Sequence, residues 1–269
     1  MLQEGLAAIV TGGGFGIGRE ISRQLAAHGY HVIVLGRTED SLRETVEVVT
    51  AGGGHAELSV VDVTDFAAVQ RYADQLSARG LDVACVVNNA GGSAREQMTC
   101  FAESAPETWR SVIDTNLIGV LNVSRVWVNA LIDRGWGRII NIASVAGSIG
   151  TSGQVDYSAA KGGVLGFTRS LAKELAGTGV TVNSVSPGPT EREVGRMSMP
   201  VDDAPEPAAS LMRATGFNRF ARADEVAAVV AFLSSESASF VTGQDYPVCG
   251  VMNLGLARSM APQRRGAGV

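Results

Sequence analysis

The feature that most constrains the fold is a regular alternation of short apolar runs with longer stretches of helical periodicity. The apolar runs are rich in Val and Ile with few alternating polar residues, which is typical of strands covered on both faces. The predicted strands are Leu6–Val10, His31–Leu35, Ala56–Val61, Val83–Val87, Arg138–Ile142, Val180–Ser186 and Asp245–Cys249. The predicted helices cover residues 16–28, 39–51, 65–79, 106–134, 156–177 and 223–235. The alternation predicts an α/β fold, a doubly wound parallel sheet of seven strands with helices on both faces.

The chain is predicted to form one domain over residues 1–251. It has 269 residues and 45% hydrophobic content, which is enough for a full core, and neither a Pro/Ser-rich linker nor an internal repeat divides it. Residues 190–216 carry no strand signal and are predicted to form a helical flap over the substrate. Residues 252–269 are predicted to be a tail whose last residues are disordered.

Composition excludes several classes of function. A net charge of −5 gives no basic field for nucleic acid, and the first apolar run is too short for a signal peptide or a membrane span. The cysteines Cys85, Cys100 and Cys249 are odd in number and widely spaced, which fits a reducing cytoplasm and no disulfide framework. The three histidines do not cluster with cysteines or acids, so we expect no metal site.

A glycine-rich segment, Thr11–Gly18, links the first predicted strand to the first predicted helix. Glycines in such a turn let the backbone approach a pyrophosphate closely, and the helix N-terminus then faces the phosphates. The strand–turn–helix context predicts dinucleotide binding. The alternative is a glycine turn that serves packing alone.

The residues after the second predicted strand bear on which dinucleotide is bound. An acidic residue at this position would accept hydrogen bonds from the ribose hydroxyls of NAD, but the chain has Gly36, Arg37 and Thr38. A guanidinium offers a fork of donors suited to a 2′-phosphate, so NADP(H) is favoured and NAD(H) remains possible. The alternative is a solvated arginine in a loop.

Two further strand ends carry small or polar residues. Asp62 and Val63 follow the third strand, and the Asp62 carboxylate could accept the adenine amino group or cap a turn; both interpretations remain open. Residues 88–91, Asn-Asn-Ala-Gly, end the fourth strand and suit either a cofactor edge or a strand-to-loop turn.

Tyr157 and Lys161 stand four residues apart in a predicted helix, which places phenol and ammonium on one face. A nearby ammonium favours the phenolate and would lower the tyrosine pKa, so that the phenol can exchange a proton at working pH. The pair alone is weak evidence, because this spacing occurs by chance in surface helices. Ser144, thirteen residues before Tyr157, could on its own simply cap a turn.

Together these features resemble the short-chain dehydrogenase/reductase family, in order and in spacing, from about Leu6 to Gly250. The pattern is most similar to 3-oxoacyl-acyl-carrier-protein reductases and polyketide ketoreductases. The resemblance implies a single-domain Rossmann-type fold and an NADPH-dependent ketoreductase that interconverts a ketone and a secondary alcohol. The alternatives are an NAD-linked secondary-alcohol dehydrogenase and a non-catalytic dinucleotide-binding protein.

The resemblance also implies roles for individual residues. Tyr157 would be the general acid in reduction and the base in oxidation, and Lys161 would lower its pKa and hold the nicotinamide ribose. Ser144 would bond to the substrate carbonyl oxygen, and Asn116 would hold a water that links Lys161 to solvent. The implied cofactor-binding residues are Gly12, Gly14, Phe15, Gly16, Ile17, Gly18, Arg37, Thr38, Asp62, Val63, Asn89, Ala90, Gly91, Tyr157, Lys161, Pro187, Gly188 and Thr190.

The chain departs from the family pattern in two places. Residues 248–251, Val-Cys-Gly-Val, replace the usual Asp-Gly-Gly ending, and Cys249 is expected to be buried and apolar in character. The two arginines with which the reductases dock an acidic carrier protein align with Gly135 and Thr178. Arg134 and Lys173 lie nearby, so docking of a carrier protein is weakened but stays open as an alternative. The expected substrate is a soluble small-molecule or thioester ketone.

The resemblance implies a homotetramer, or a dimer, formed through helices 106–134 and 156–177 and through the last strand. The substrate pocket is predicted to combine residues 93–95, residues 148–154 and the flap. Within it, an anionic substrate group could meet arginines, or those arginines could pair with nearby acids. The arginines are Arg95, Arg192, Arg196 and Arg213, and the acids are Asp202, Asp203 and Glu206. The methionines Met197, Met199 and Met212 could form an apolar lid or could only pack the flap down.

Overall fold

The computed structural model describes residues 5–92, 100–191, 201–206 and 208–255. Its centre is a seven-stranded sheet of order β3-β2-β1-β4-β5-β6-β7, in which every neighbouring pair is parallel. The strands are β1 Ala7–Thr11, β2 His31–Gly36, β3 His55–Val60, β4 Val83–Asn88, β5 Gly137–Ile142, β6 Val180–Pro187 and β7 Asp245–Val248. The predicted fold class is confirmed, with strand ends shifted by one residue at most.

Helices cover both faces of this sheet. They are α1 Gly16–Ala27, α2 Glu39–Ala51, α3 Phe66–Ala78, α4 Pro106–Ile113, α5 Gly119–Arg134, α6 Ala146–Ile149, α7 Val155–Glu174, α8 Ala208–Ala214 and α9 Ala223–Leu233. No helix in the described part of the chain is long and apolar enough to span a bilayer.

The prediction of one continuous helix over residues 106–134 was incomplete. A π-helical segment, Asp114–Ile118, lies between α4 and α5, so each of its turns holds one residue more than an α-helical turn. The helical periodicity of the sequence continues through this segment, so the pattern of apolar residues does not reveal the extra residue. The four-residue α6 was also not predicted, because it is shorter than any periodic signal.

Alternate residues of each strand point to two separate cores. On one face Ala8, Val10 and Val34 pack with α1 and α9, and on the other Ile9 and Ile33 pack with α3, α5 and α7. Side chains of successive strand residues point to opposite faces, so both faces of a two-sided sheet must be apolar. The Val/Ile-rich runs therefore place the sheet at the centre of the molecule.

The order of the strands determines where a ligand can bind. Strands run outward from β1 in one direction to β3 and from β4 in the other direction to β7, so the connections diverge between β1 and β4. Connections that leave on opposite sides open a crevice at the carboxyl ends of these two strands. The glycine segment follows β1 and residues 88–91 follow β4, so both lie at this crevice.

The flap is described only in part. Its described portion contains a short 3-10 turn, Val201–Asp203, and α8. An isolated parallel bridge then joins Ala221 to Thr190, three residues beyond the end of β6. Predictions on residues 93–95, Arg192, Arg196, Met197, Met199 and the tail 256–269 lie outside the described residues.

Candidate active site

Lys161 lies inside the protein, where α7 crosses the carboxyl end of β5. It is 3% exposed, and its Nζ donates a hydrogen bond of 2.8 Å to the backbone oxygen of Ile142. Its Nζ is 5.8 Å from the centre of the Tyr157 ring, as expected for positions one helical turn apart. Burial disfavours the ammonium and lowers the pKa of Lys161 to about 8.

The π-helical segment places Asn116 beside Lys161. Asn116 is 1% exposed, and its Oδ1 accepts a hydrogen bond of 3.1 Å from the Gly92 amide. Its Nδ2 donates to the backbone oxygens of Gly92 and Val112, at 2.9 Å each. A Cβ added to Gly91 would lie 2.4 Å from Asn116 Oδ1 and 3.3 Å from Lys161 Nζ. Asn116, Lys161 and the loop after β4 therefore meet at one point.

Ser144 stands two residues beyond β5 and is half-buried. Its Oγ accepts a hydrogen bond of 3.2 Å from the amide of Ala146, so it does cap the turn into α6. α6 then packs directly on α7, since a Cβ on Gly147 would lie 2.7 Å from the carbonyl carbon of Lys161. This contact brings the turn that carries Ser144 to the helix that carries Tyr157 and Lys161.

The glycine turn after β1 is in close contact with the end of β4. A Cβ on Gly18 would lie 2.2 Å from the backbone oxygen of Gly12, and one on Gly12 would lie 2.8 Å from the Cα of Ala90. Asn89 secures the contact, because its Nδ2 donates to the backbone oxygens of Thr11 and Gly12 at 3.0 and 2.9 Å. Asn89 thus links the end of β4 to the end of β1 by hydrogen bonds. Side chains larger than glycine do not fit at Gly12 or Gly18.

A cavity of about 310 Å³ opens at the crevice predicted by the strand order. Its described lining residues are Gly12, Gly14, Phe15, Gly36, Arg37, Thr38, Ser41, Leu42, Val61, Asp62, Val63, Ala90, Gly91, Gly92, Ser111, Val112, Thr115 and Asn116. The structure thereby gathers half of the predicted cofactor residues around one space, which ends at Asn116. Gly16, Ile17 and Gly18 form the first turn of α1 beside it.

The N-terminus of α1 is left uncapped beside this cavity. Its N-cap residue Phe15 makes no side-chain cap, and the first turn contains no acidic residue. The first amides of a helix have no partner within the helix and carry partial positive charge. An anion in the cavity would satisfy them.

Both interpretations of Asp62 receive support. Its Oδ1 accepts hydrogen bonds from the amide and hydroxyl of Thr64, each at 2.9 Å, so the side chain stabilises its own turn. The helix that follows is capped instead by Asp65, whose Oδ1 accepts from the Ala68 amide. Asp62 also lines the cavity, which leaves its second carboxylate oxygen available to a ligand.

Pro187, Gly188 and Thr190 lie at the end of β6 and outside the lining of this cavity. The backbone oxygen of Pro187 accepts a hydrogen bond from the Val145 amide, which ties the end of β6 to the Ser144 turn. Cys249 is 3% exposed, and a Cβ on Gly188 would lie 2.7 Å from the Cβ of Cys249. The predicted burial of Cys249 is confirmed, and its contact explains why residue 188 is a glycine.

The family model described as short chain dehydrogenase matches residues 6–201 of this chain. The chain belongs to the short-chain dehydrogenase family. The predicted membership is thus confirmed over most of the domain.

Curated relatives of this short-chain dehydrogenase match over nearly their full length. The 3-oxoacyl-acyl-carrier-protein reductase FabG of Escherichia coli strain K12 is 37% identical over 249 residues, which are 93% of this chain and 98% of the relative. The acetoacetyl-CoA reductase of Cupriavidus necator is 36% identical over 250 residues, which are 92% and 98% of the two chains.

Solved structures agree with this assignment. A variant of actinorhodin polyketide ketoreductase with NADPH superimposes with a TM-score of 0.84 at 35% identity, covering 94% of this chain and 99% of the other. A gluconate 5-dehydrogenase from Burkholderia cenocepacia in complex with NADP and tartrate gives a TM-score of 0.85 at 30% identity, with coverage of 95% and 98%.

Some residues at the cavity of this short-chain dehydrogenase were not predicted. Ser41 lines it one turn after Arg37, and its position at the start of a helix beside the predicted phosphate contact was an available signal. Ser111 and Thr115 reach it from α4 and the π-helical segment, and no sequence signal predicts their orientation. Among the described residues, no group of three or more His, Cys, Asp and Glu side chains is arranged to hold a metal ion.

Proposed function

We propose that this short-chain dehydrogenase is an NADPH-dependent ketoreductase that interconverts a ketone and a secondary alcohol. The observation that carries the proposal is the junction of Lys161, Asn116 and Gly91 at the inner end of the crevice cavity, with Tyr157 one turn away on α7. The proton donor Tyr157 and the cavity beside the glycine turn meet there. Both are required to reduce a carbonyl group.

The residues around the cavity fit a nicotinamide dinucleotide. The glycine turn offers a cradle that a Cβ would fill, and the uncapped α1 N-terminus suits a pyrophosphate. Asp62 and Val63 would border the adenine, and Lys161 would hold the nicotinamide ribose. The bound cofactor supplies the hydride, and the protein orients it and supplies the proton.

Tyr157 would donate the proton to the ketone oxygen in reduction and accept it in oxidation. A buried ammonium near the ring favours the phenolate, so the proton leaves Tyr157 more readily than it leaves an isolated tyrosine. Ser144 would hold the substrate oxygen, because its hydroxyl proton remains available while its oxygen caps the turn. Asn116 fixes the surroundings of Lys161 through its bonds to Gly92 and Val112.

The preference for NADPH rests on Arg37. Arg37 lines the outer end of the cavity next to Thr38 and Ser41, and no described residue forms an ion pair with its guanidinium. The guanidinium is therefore available to a 2′-phosphate. The NADP and NADPH complexes among the structural neighbours support this preference.

The substrate is proposed to be a small-molecule or thioester ketone. At the positions aligned with the docking arginines, Gly135 ends α5 in a left-handed conformation with φ of 72°, and the Thr178 hydroxyl donates to the backbone oxygen of Leu175. Neither offers a positive charge, and the nearby Arg134 forms an ion pair with Asp82. These contacts favour a substrate that arrives free rather than on an acidic carrier.

The flap over residues 190–216 is proposed to cover that substrate, within a domain that extends over residues 1–251. In its described part Arg213 forms an ion pair with Glu206, which is the alternative to binding an anionic substrate group. Met212 of α8 is buried. We further propose a homotetramer or dimer and a location in the cytoplasm. The three free cysteines support a reducing compartment.

The test is Tyr157→Phe, assayed with a β-keto thioester and a cyclic ketone after NADPH binding has been measured by nicotinamide fluorescence. We expect an NADPH Kd within about 3-fold of wild type and a kcat reduced by about 100-fold or more, because general acid catalysis is lost. Tyr246→Phe is the matched control, since Tyr246 lies half-buried on β7 away from the cavity.

A kcat retained by Tyr157→Phe would contradict the proposed chemistry. Wild-type protein that binds NADPH but reduces no ketone would instead favour the non-catalytic dinucleotide-binding protein. A kcat/KM higher with NADH than with NADPH would contradict the cofactor preference.

A further inference from the structure

Arg19 connects the glycine turn to the neighbouring helix α2. It lies in the first turns of α1, and its Nη2 donates a hydrogen bond of 2.7 Å to the backbone oxygen of Gly14. The same Nη2 contacts Oε2 of Glu44 at 2.7 Å, and Nε donates to Oγ1 of Thr45 at 3.1 Å. One guanidinium thus joins the turn after β1 to two successive residues of α2.

Thr45 makes the second connection. It is fully buried, and its hydroxyl is 3.0 Å from the backbone oxygen of Gly13 and 3.2 Å from that of Ser41. The carbonyl groups of two consecutive turn residues, Gly13 and Gly14, therefore both point toward α2.

The direction of these carbonyls sets the direction of the amides that follow them. In a trans peptide the N–H points opposite to the C=O of the preceding residue. With the Gly13 and Gly14 oxygens held by α2, the N–H groups of Gly14 and Phe15 point to the other side of the turn. No described residue accepts a hydrogen bond from either amide, and both residues line the cavity.

We propose that Arg19 is a positioning residue for the pyrophosphate of the cofactor, which it never touches. By holding the Gly14 carbonyl against α2, it keeps the amides of the turn oriented toward the cavity before the cofactor arrives. This inference rests on the proposed function in that it takes the cavity to bind a nicotinamide dinucleotide. The positive charge of Arg19 is compensated by Glu44, so Arg19 acts through the peptide groups and not by direct attraction of phosphate.

The roles of Arg19 and Arg37 can be distinguished by experiment. A residue that orients the pyrophosphate site serves NADPH and NADH equally, whereas a residue that binds the 2′-phosphate serves NADPH alone. The dissociation constants of both cofactors are measured by nicotinamide fluorescence for wild type, Arg19→Met, Arg37→Ala and Arg23→Met. Arg23 is the matched control, because it lies one turn further along α1 and pairs only with Glu20 of the same helix among the described residues.

We expect Arg19→Met to raise the Kd of NADPH and of NADH by the same factor, about 10-fold to 100-fold. This is the effect expected when the hydrogen bonds donated by the charged guanidinium are lost. The kcat at saturating cofactor should stay within about 2-fold of wild type, which a general loss of structure would not allow. Arg37→Ala should weaken NADPH alone, and Arg23→Met should change neither constant.

Unchanged constants in Arg19→Met would overturn the proposal, and so would a loss confined to NADPH, which would place Arg19 at the 2′-phosphate. If Arg19→Met does not fold, Arg19→Lys decides in the same way, because a lysine keeps the charge but cannot make the three contacts together. A wild type that binds both cofactors without reducing any ketone would defeat the reductase function and leave this binding test intact.

Discussion

At the scale of the residue, Lys161 shows a structural cost tolerated at the candidate active site. A lysine is almost never fully buried unless a partner compensates its charge, yet the ammonium of Lys161 has a carbonyl and no carboxylate among its described hydrogen-bond partners. Its pKa falls to about 8 for this reason. A residue placed for stability alone would not be a lysine at this position.

The stability of the protein should therefore depend on pH through Lys161. Its pKa is lower in the folded state than the ordinary 10.5, so the unfolded state binds more protons between about pH 8 and 10.5. The contribution of Lys161 deprotonation to the free energy of unfolding is therefore absent below about pH 8 and grows as the pH rises toward 10.5. Relative to Lys161→Met, the wild type should gain up to about 3 kcal/mol across this window.

Urea unfolding of both proteins at pH 7 and pH 9.5, at one protein concentration, measures this gain. Lys173→Met, a change at an exposed lysine near the end of the same helix, is the control and should show no such gain. A pH-independent difference between wild type and Lys161→Met would show that Lys161 does not titrate in this range.

At the scale of the element, the contact between α6 and α7 depends on Gly147. A Cβ there would lie 2.7 Å from the backbone of Lys161, and backbone atoms cannot move aside without shifting α7. The turn that carries Ser144 is joined to α6, so a displaced α6 also displaces Ser144. Close packing of two helices thus determines the geometry of the candidate catalytic residues.

Gly147→Ala should lower the free energy of unfolding by about 1 to 3 kcal/mol and reduce kcat more than it raises the KM for NADPH. Gly52→Ala is the control, because Gly52 has an ordinary φ of −80° and its nearest neighbours would lie at 3.3 Å or more. The measurements are chemical denaturation and steady-state kinetics. Equal stabilities of the two variants would contradict the packing argument.

The π-helical segment is the element that sequence could least predict. Asn116 was assigned to an uninterrupted helix, whereas the structure places it in the π-helical segment, from which its Nδ2 donates to the backbone oxygens of Gly92 and Val112. Gly92 belongs to the loop after β4, so the sequence around Asn116 does not reveal this partner.

At the scale of the whole molecule, β7 is an edge strand of the sheet, with a pairing partner on one side only among the described residues. This strand is only four residues long, and Phe240, five residues before it, is fully exposed. Phe232 of α9 is 44% exposed. Open edges and exposed aromatic rings are typical of surfaces that another subunit covers. They support the last strand as one interface of the proposed oligomer.

Phe240→Glu should shift the protein to a smaller assembly, because a carboxylate cannot be buried in an apolar interface without a partner. Light scattering at several protein concentrations measures the mass. Phe66→Glu is the control, since Phe66 is an exposed phenylalanine at the start of α3. A mass that is unchanged by Phe240→Glu would exclude this residue from the interface.

The sequence by itself determined the sheet, its parallel strands and the position of the dinucleotide crevice. These follow from local patterns, since Val/Ile-rich runs such as Val32–Leu35 must be buried on both faces and the glycines of Thr11–Gly18 permit only a tight turn. Family membership was recognised on such motifs and is confirmed. The roles of Tyr157 and Ser144 stay predictions that the proposed variants test.

Only the tertiary structure decided how the side chains of the site are held. Asn89 joins the ends of β1 and β4, and Arg19 joins the glycine turn to α2. Lys161 is shielded from solvent because α7 crosses the carboxyl end of β5. Each contact joins residues that are far apart in the sequence. Local patterns carry no information on such distances, because they arise when the sheet and both helical layers pack together.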